Sequence, residues 1–151
     1  MFEEGNILRF NPFLFKNGAE SKPKYFIVLK KEEDSLVMAT LPTSKDHIPS
    51  DVERRYGCVE IPERCVNVYV FLSKQEIAFT PESHTPWGFP MNTYIYGADL
   101  NTYPISSFEN QLRLQQTEIE LKAILTDDVF CDLIRCLKNS KMVKNKFRKM
   151  L

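Results

Sequence analysis

The sequence predicts a mainly β fold with α additions: a small antiparallel β-barrel followed by a C-terminal helical segment. Short apolar runs broken by turn residues occupy the first two thirds of the chain, and helical periodicity appears only near its end. Many short strands separated by turns favour a compact antiparallel barrel. With 151 residues, a single domain over 1–151 is expected, divided into a β core over 1–125 and a helical segment over 126–151.

Two central strands joined by a charged turn are the clearest local prediction. The run from Tyr25 to Leu29 is nearly all apolar, as expected for a strand covered on both faces, and the run 36–41 returns after the charged residues 31–34. Further strands are predicted at 7–10, 58–61, 66–72, 91–96 and 118–124. Two long loops are predicted near 43–57 and 80–90, and the prolines of the second are expected to exclude regular structure.

A helix is predicted from about residue 127 to residue 138. Thr126 is a good N-cap, Asp127 and Asp128 occupy the first turn, and apolar residues then recur at helical spacing. A second amphipathic stretch follows Ser140. Its apolar stripe is expected to pack on the protein's own core with its lysines in water, although RNA or partner binding is an alternative.

The overall charge excludes a strongly basic or acidic protein, because Lys and Arg balance Asp and Glu at 20 each. The balance hides an asymmetry: residues 138–151 contain six basic residues and no acidic one. The body of the chain is therefore net acidic and its end is basic.

The N-terminus lacks the basic and apolar regions of a signal peptide, and no apolar run is long enough to span a bilayer. A cytoplasmic protein with no membrane partner is expected. The four cysteines have neither zinc-site nor disulfide-scaffold spacing. Reduced, partly buried thiols are expected in preference to a zinc site with His47 or His84, and no metal or cofactor is predicted.

Three short motifs occur in order within the first fifty residues. They are Gly5-Asn6-Ile7, then Gly18-Ala19-Glu20 followed by Lys22-Pro23 and the apolar run 25–29, and then Leu41-Pro42-Thr43-Ser44. In this order and spacing the chain resembles the MazF/PemK family of toxin endoribonucleases. The resemblance implies an SH3-like barrel of the MazF/PemK/CcdB type, metal-independent cleavage of single-stranded RNA, a homodimer and a cognate antitoxin.

The resemblance implies catalytic roles for Lys22 and Thr43, and for Glu20 as a base or an orienting carboxylate. His47 is added to the catalytic candidates because an imidazole can transfer protons near neutral pH. RNA binding would involve the charges of Lys24 and Lys45, the hydroxyl of Ser44 and stacking of bases on Trp87. The family has Arg where this chain has Lys22, and a lysine lacks the planar fork that grips a phosphate, so activity is expected to be weakened. The alternative function is a non-catalytic SH3-like barrel that binds RNA or a protein partner.

Simpler roles remain open for several of these residues. His47 and Glu20 are also consistent with exposed loop residues, and Thr43 with a turn former. Trp87 is also consistent with an aromatic that anchors its loop by burial.

Overall fold

The computed structural model describes residues 1–33 and 36–151; for residues 36–39 it describes the backbone alone. Ten strands form within the described residues: β1 Asn6–Phe13, β2 Lys22–Glu32, β3 Leu36–Thr40, β4 Gly57–Ile61, β5 Val66–Phe71, β6 Ala78–Phe79, β7 Pro86–Trp87, β8 Thr93–Tyr96, β9 Asn101–Pro104 and β10 Glu118–Leu125. The same part of the chain forms three α-helices, α1 Ile105–Arg113, α2 Asp127–Lys138 and α3 Asn145–Met150. Asp34, the last residue of the predicted charged turn, lies outside the described residues.

The strands form two antiparallel sheets. The larger has the order β7-β6-β10-β1-β2-β3-β9, and the smaller has the order β4-β5-β8. A single bridge between Thr43 and Tyr94 connects the chain after β3 to β8 of the smaller sheet. The mainly β prediction with α additions is therefore confirmed, while both sheets are open within the described residues.

The apolar run in β2 is explained by burial of the larger sheet on both faces. Ile27 and Leu29 pack into a core shared with the smaller sheet and α2, whereas Phe26 and Val28 pack into a second core that includes Phe108 of α1. All four β2 side chains are at most 1% exposed. The larger sheet is thus the middle layer between the smaller sheet with α2 on one face and α1 on the other.

Helix α2 begins and ends where the sequence predicts. The hydroxyl of Thr126 accepts a hydrogen bond from the backbone N–H of Val129 at 3.5 Å, as an N-cap does. Leu133 and Leu137 are fully buried against the core. The hydroxyl of Tyr69 on β5 donates to Asp132 at 2.8 Å, which fixes the helix against the smaller sheet.

The prediction of reduced thiols is wrong for one pair of cysteines. Cys58 of β4 and Cys136 of α2 form a disulfide, with Cα atoms 5.6 Å apart and a separation of 78 positions in the sequence. Cys65 and Cys131 are free and exposed. The pairing depends on the packing of α2 against β4, which the spacing of cysteines in the sequence does not reveal.

The basic C-terminal segment packs on the protein's own core. Val143 and Phe147 are 1% and 3% exposed, and most of the lysines around them lie in solvent. This is the arrangement that the sequence favoured over a free amphipathic stripe. Within the described part of the chain, no helix combines the length and apolar character needed to cross a membrane.

The prediction that residues 80–90 hold no regular structure is wrong. Pro86 and Trp87 form β7 and pair with Phe79 and Ala78 of β6, so a short hairpin extends the edge of the larger sheet. Proline is tolerated in β7 because it lies at the edge of the sheet, where a missing N–H costs little. Strand β9 and helix α1 were also not predicted.

Candidate functional site

A groove forms at the start of β2, where β1 pairs with this strand but β3 does not. β1 pairs with β2 from Lys22 onward, with a register shift before Lys24, but β3 joins only at Ile27, opposite Thr40. After Thr40 the chain leaves the larger sheet, and Thr43 exchanges backbone hydrogen bonds of 3.0 and 2.8 Å with Tyr94. The start of β2 and the segment 42–45 therefore face each other across a gap.

The gap contains two adjoining cavities that share Lys24 and Thr43. The first, the lysine pocket, has a volume of about 490 Å³ and is lined in part by Glu20, Lys22, Lys24, Thr43 and Lys45. The second, the arginine pocket, has a volume of about 300 Å³ and is lined in part by Arg9, Tyr25, Ser44 and Met91. We use these two names below for these two cavities.

The groove brings together six of the eight site residues named from the sequence. Five line the lysine pocket, and Ser44 lines the arginine pocket next to it. The remaining two, His47 and Trp87, lie elsewhere. The structure therefore places the Lys22-Pro23 and Pro42-Thr43 segments on opposite sides of one cleft.

The lysine pocket is a concentration of positive charge. None of the ion pairs formed by described side chains involves Lys22, Lys24 or Lys45. Partial burial, and then the nearby charges of Lys22 and Lys45, lower the pKa of Lys24. Three lysines against one carboxylate, Glu20, give the lining of this pocket a net positive charge, which favours an anionic ligand such as a phosphate.

Thr43 is fixed in position by the turn that follows it. Its hydroxyl oxygen accepts a hydrogen bond from the N–H of Lys45 at 3.1 Å, which leaves the hydroxyl proton available for donation. The hydroxyl of Tyr96 donates to the carbonyl of Lys45 at 2.7 Å. The turn-forming role expected of Thr43 and a role as a donor to a ligand are therefore compatible.

An ion pair fixes the next residues of the same loop. Arg54 donates to the carboxylate of Asp46 at 3.0 Å, and the second oxygen of Asp46 accepts from the N–H of Ile48 at 2.9 Å. The hydrogen bond from Arg54 is the main cause that lowers the pKa of Asp46. These contacts hold the segment that follows Lys45 in place, and they use none of the side chains that line the two pockets.

The structure separates His47 from the other candidate residues. Its backbone N–H donates to the hydroxyl of Tyr96 at 2.8 Å, and its side chain lines a different cavity with Cys65 and Met142. An acid-base role for His47 next to Lys22 is therefore not supported by its position.

Trp87 is also outside the groove. Its ring lies 5.9 Å from that of Tyr25 and 5.0 Å from that of Phe89, and it is half-buried between them. The cavity that it borders is lined by Glu82 and by the ion pair of Glu120 with Lys122, so it lacks the excess of positive charge found in the groove. Its contacts match the loop-anchoring role and place it behind Tyr25 of the arginine pocket.

Arg9 is a groove residue that the motifs did not reveal. It belongs to β1, where its backbone is opposite that of Tyr25 in β2, and directly opposed residues of antiparallel strands share a face of the sheet. The available signal was a single arginine inside the apolar run Ile7-Leu8-Arg9-Phe10. That signal indicates a polar environment on one face of the strand but does not identify which partner it meets.

The lowered pKa of Lys24 predicts a pH dependence of anion binding. We expect the affinity for a non-cleavable single-stranded oligonucleotide to fall as pH rises from neutral toward 10.5, the ordinary lysine value, because Lys24 loses its proton early. In a Lys24→Arg variant the fall should begin at a higher pH. Fluorescence anisotropy across this range checks the prediction, and identical profiles for the two proteins would contradict it.

The same shift predicts a small effect on stability with a defined sign. Since the folded protein releases the Lys24 proton more readily than the unfolded chain, the free energy of unfolding should rise with pH through the interval just below 10.5. This increase should disappear in Lys24→Arg.

Comparison of the chain with protein-family models, with curated proteins and with solved structures finds no match. The residues and geometry of the groove are therefore the basis for any inference about function.

Proposed function

We propose that the chain is a MazF/PemK-like toxin, a metal-independent endoribonuclease that cleaves single-stranded RNA in the lysine pocket. The observation that supports this most is the convergence of Lys22, Thr43 and Glu20 on one cationic cavity from two separate segments of the chain. A cationic groove attracts the phosphate backbone of RNA, and single strands fit such grooves without a helical shape being required.

The groups in the pocket match the needs of internal RNA cleavage. In the proposed reaction the ribose 2′-oxygen bonds to phosphorus while the bond from phosphorus to the 5′-oxygen breaks. Glu20 accepts the 2′ proton, and the ammonium of Lys24, acidified by its surroundings, supplies a proton to the departing 5′-oxygen. Lys22 and the hydroxyl of Thr43 stabilise the charge on the phosphoryl oxygens.

The lysine at position 22 makes this a weakened version of the site. A lysine provides one compact charge, whereas an arginine provides two parallel hydrogen bonds to a phosphate. Lys24 and Lys45 line the same pocket and add charge near the phosphate. These two lysines add positive charge, but they do not replace the two parallel hydrogen bonds that an arginine at position 22 would give, so slow cleavage is expected.

The rest of the proposal follows the family resemblance. It comprises an SH3-like barrel, a homodimer, a cognate antitoxin that neutralises the toxin as a largely disordered segment, and a cytoplasmic location. Persistent disulfides are rare in the cytoplasm, so there the Cys58–Cys136 pair is expected to be largely reduced. Co-purification with the product of a neighbouring short gene tests the antitoxin, and light scattering tests the dimer.

The second candidate function is a non-catalytic barrel that binds RNA or a protein partner. Two observations favour it: the lysine at position 22 and the separation of His47 from the groove. Both reduce the capacity for catalysis while leaving the cationic groove able to bind an anion.

Substitution of Thr43 separates the two functions. We expect Thr43→Ala to slow cleavage of single-stranded RNA at least about tenfold while affinity for a 2′-O-methyl oligonucleotide changes little, because the hydroxyl would act mainly on the transition state. Thr43→Ser retains a hydroxyl and is the matched control. Gel analysis of RNA cleavage and anisotropy of binding are the two measurements.

Each outcome of the Thr43 experiment supports one function. Cleavage by the wild type that is lost in Thr43→Ala and kept in Thr43→Ser supports the endoribonuclease. Binding of the oligonucleotide by all three proteins, with intact RNA throughout, would instead identify the non-catalytic module.

A further inference from the structure

We propose that the arginine pocket is a nucleotide subsite, in which Arg9 binds the phosphate next to the one held in the lysine pocket and the apolar wall receives a base. This inference rests on the proposed function, because it takes single-stranded RNA as the ligand. It assigns a role to Arg9, a residue outside every motif on which the resemblance was based.

Strand pairing fixes the position of Arg9. Leu8 and Phe10, its neighbours in β1, are fully buried in the core that contains α1, so Arg9 points to the opposite face. On that face its partners across the strands are Tyr25 in β2 and Glu120 in β10, and of these two only Tyr25 lines the arginine pocket with it. The guanidinium therefore belongs to the groove and not to the solvent-facing surface of a loop.

The charge of Arg9 is available for a ligand. No ion pair among the described side chains involves Arg9, and its side chain is half-buried. Glu120, which lies opposite Arg9 on β10, is paired instead with Lys122 at 3.5 Å. An arginine in such a setting favours a bidentate contact with a phosphate. Arg9 thus supplies, one cavity away, the planar fork that the chain lacks at Lys22.

The remaining wall of the pocket suits a nucleobase. Pro23, Pro90 and Tyr25 line it, and so does Met91, which is 56% exposed although it is a large apolar residue. Tyr25 is held in place by ring contacts with Trp87 and Phe89. A volume of about 300 Å³ lies at the lower end of the range for small-ligand pockets, which is appropriate for one nucleotide.

The two cavities adjoin at Lys24 and Thr43, which line both of them. In the proposed complex the strand passes from one cavity to the other at these two residues, through the gap between the start of β2 and the segment 42–45. Consecutive phosphates would then contact Lys22 and Arg9, with Lys24 between them.

Binding of a short single-stranded 2′-O-methyl oligonucleotide at several salt concentrations tests the subsite. We expect Arg9→Gln to weaken binding about tenfold or more and to reduce the salt slope by about 0.7. Arg9→Lys keeps the charge, so it should retain the salt slope but still lose affinity. Arg55→Gln, at an exposed arginine that does not line the groove, is the control for loss of one charge.

Met91→Ala provides a test that is independent of strand β1. Because Met91 is exposed, its truncation should leave thermal stability unchanged, weaken binding several-fold and leave the salt slope intact. If Arg9→Gln and Met91→Ala both bind like the wild type, the subsite is refuted. The same is true if Arg9→Gln behaves like Arg55→Gln.

The outcomes distinguish this inference from the proposed function. If the wild type binds through Arg9 and Met91 but leaves RNA intact, the subsite stands and the endoribonuclease fails. If the wild type cuts RNA and Arg9→Gln binds and cuts equally well, the endoribonuclease stands and the subsite fails. Absence of oligonucleotide binding by the wild type would overturn both.

Discussion

Replacing Lys22 with glutamine is expected to slow RNA cleavage about 100- to 1000-fold, the usual effect of losing one preorganised donor to the transition state. Lys22 is exposed and lies at the first position of β2, so the change should not disturb folding. Lys24 and Lys45 remain in the pocket and preserve most of the attraction for RNA. The rate should therefore fall far more than the affinity does.

Lys22→Arg is the informative counterpart of this variant. It restores the residue that the resembled family has at this position and adds a bidentate contact without changing the charge. We expect it to cleave RNA faster than the wild type. Equal rates for the wild type, Lys22→Gln and Lys22→Arg would show that position 22 plays no part in cleavage.

Reduction of the Cys58–Cys136 disulfide is expected to produce the largest change in stability. The bond closes a long loop, because its cysteines are 78 positions apart in the sequence, and the chain-entropy relation gives about 4.5 kcal/mol for a loop of this size. In a protein of 151 residues this corresponds to a fall in Tm on the order of 10 °C. Thermal melting with and without dithiothreitol measures the difference.

Two variants control for other effects of the reductant. A Cys58→Ala/Cys136→Ala protein should melt at the same temperature with and without dithiothreitol. Cys131→Ser removes an exposed free thiol and should keep the full response of the wild type. A wild-type protein whose Tm does not respond to the reductant, or in which four free thiols are titrated under oxidising conditions, would contradict the bond.

The parts of the fold that could be predicted are those whose signals are local. Helix α2 has an N-cap at Thr126 and acidic residues in its first turn, and both of its ends were predicted. Strand β2 could be predicted from its apolar run, which is present because both faces of the strand are buried. The groove was predicted from the family resemblance, which put Lys22 and Thr43 in one site; in the structure, β2 begins at Lys22 and Thr43 follows the end of β3.

The elements that were missed lack such signals. Helix α1 follows Pro104 without a side-chain cap or an acidic residue in its first turn, and it buries only Ile105 and Phe108. Strands β6 and β7 have two residues each, which is too short for any periodicity. Their existence depends on pairing with each other and with β10.

The missed features of the site are nonlocal as well. The Cys58–Cys136 bond depends on where α2 packs, and the place of Arg9 in the groove depends on the register between β1 and β2. His47 shows the opposite error: closeness in sequence to Thr43 suggested a shared site, whereas the fixed loop carries its side chain into another cavity. Spacing in the sequence predicts which residues lie close together along a strand much better than it predicts where a loop places its side chains.

The central claim is that the lysine pocket cuts RNA, and analysis of cleavage products tests it most directly. Wild-type protein and a Lys22→Gln/Thr43→Ala variant, purified identically, are incubated with mixed-sequence single-stranded RNA in excess EDTA, and the products are examined by mass spectrometry. The account predicts fragments ending in a 2′,3′-cyclic phosphate for the wild type and intact RNA for the variant. Intact RNA with the wild type, or the same fragments from both proteins, would contradict it.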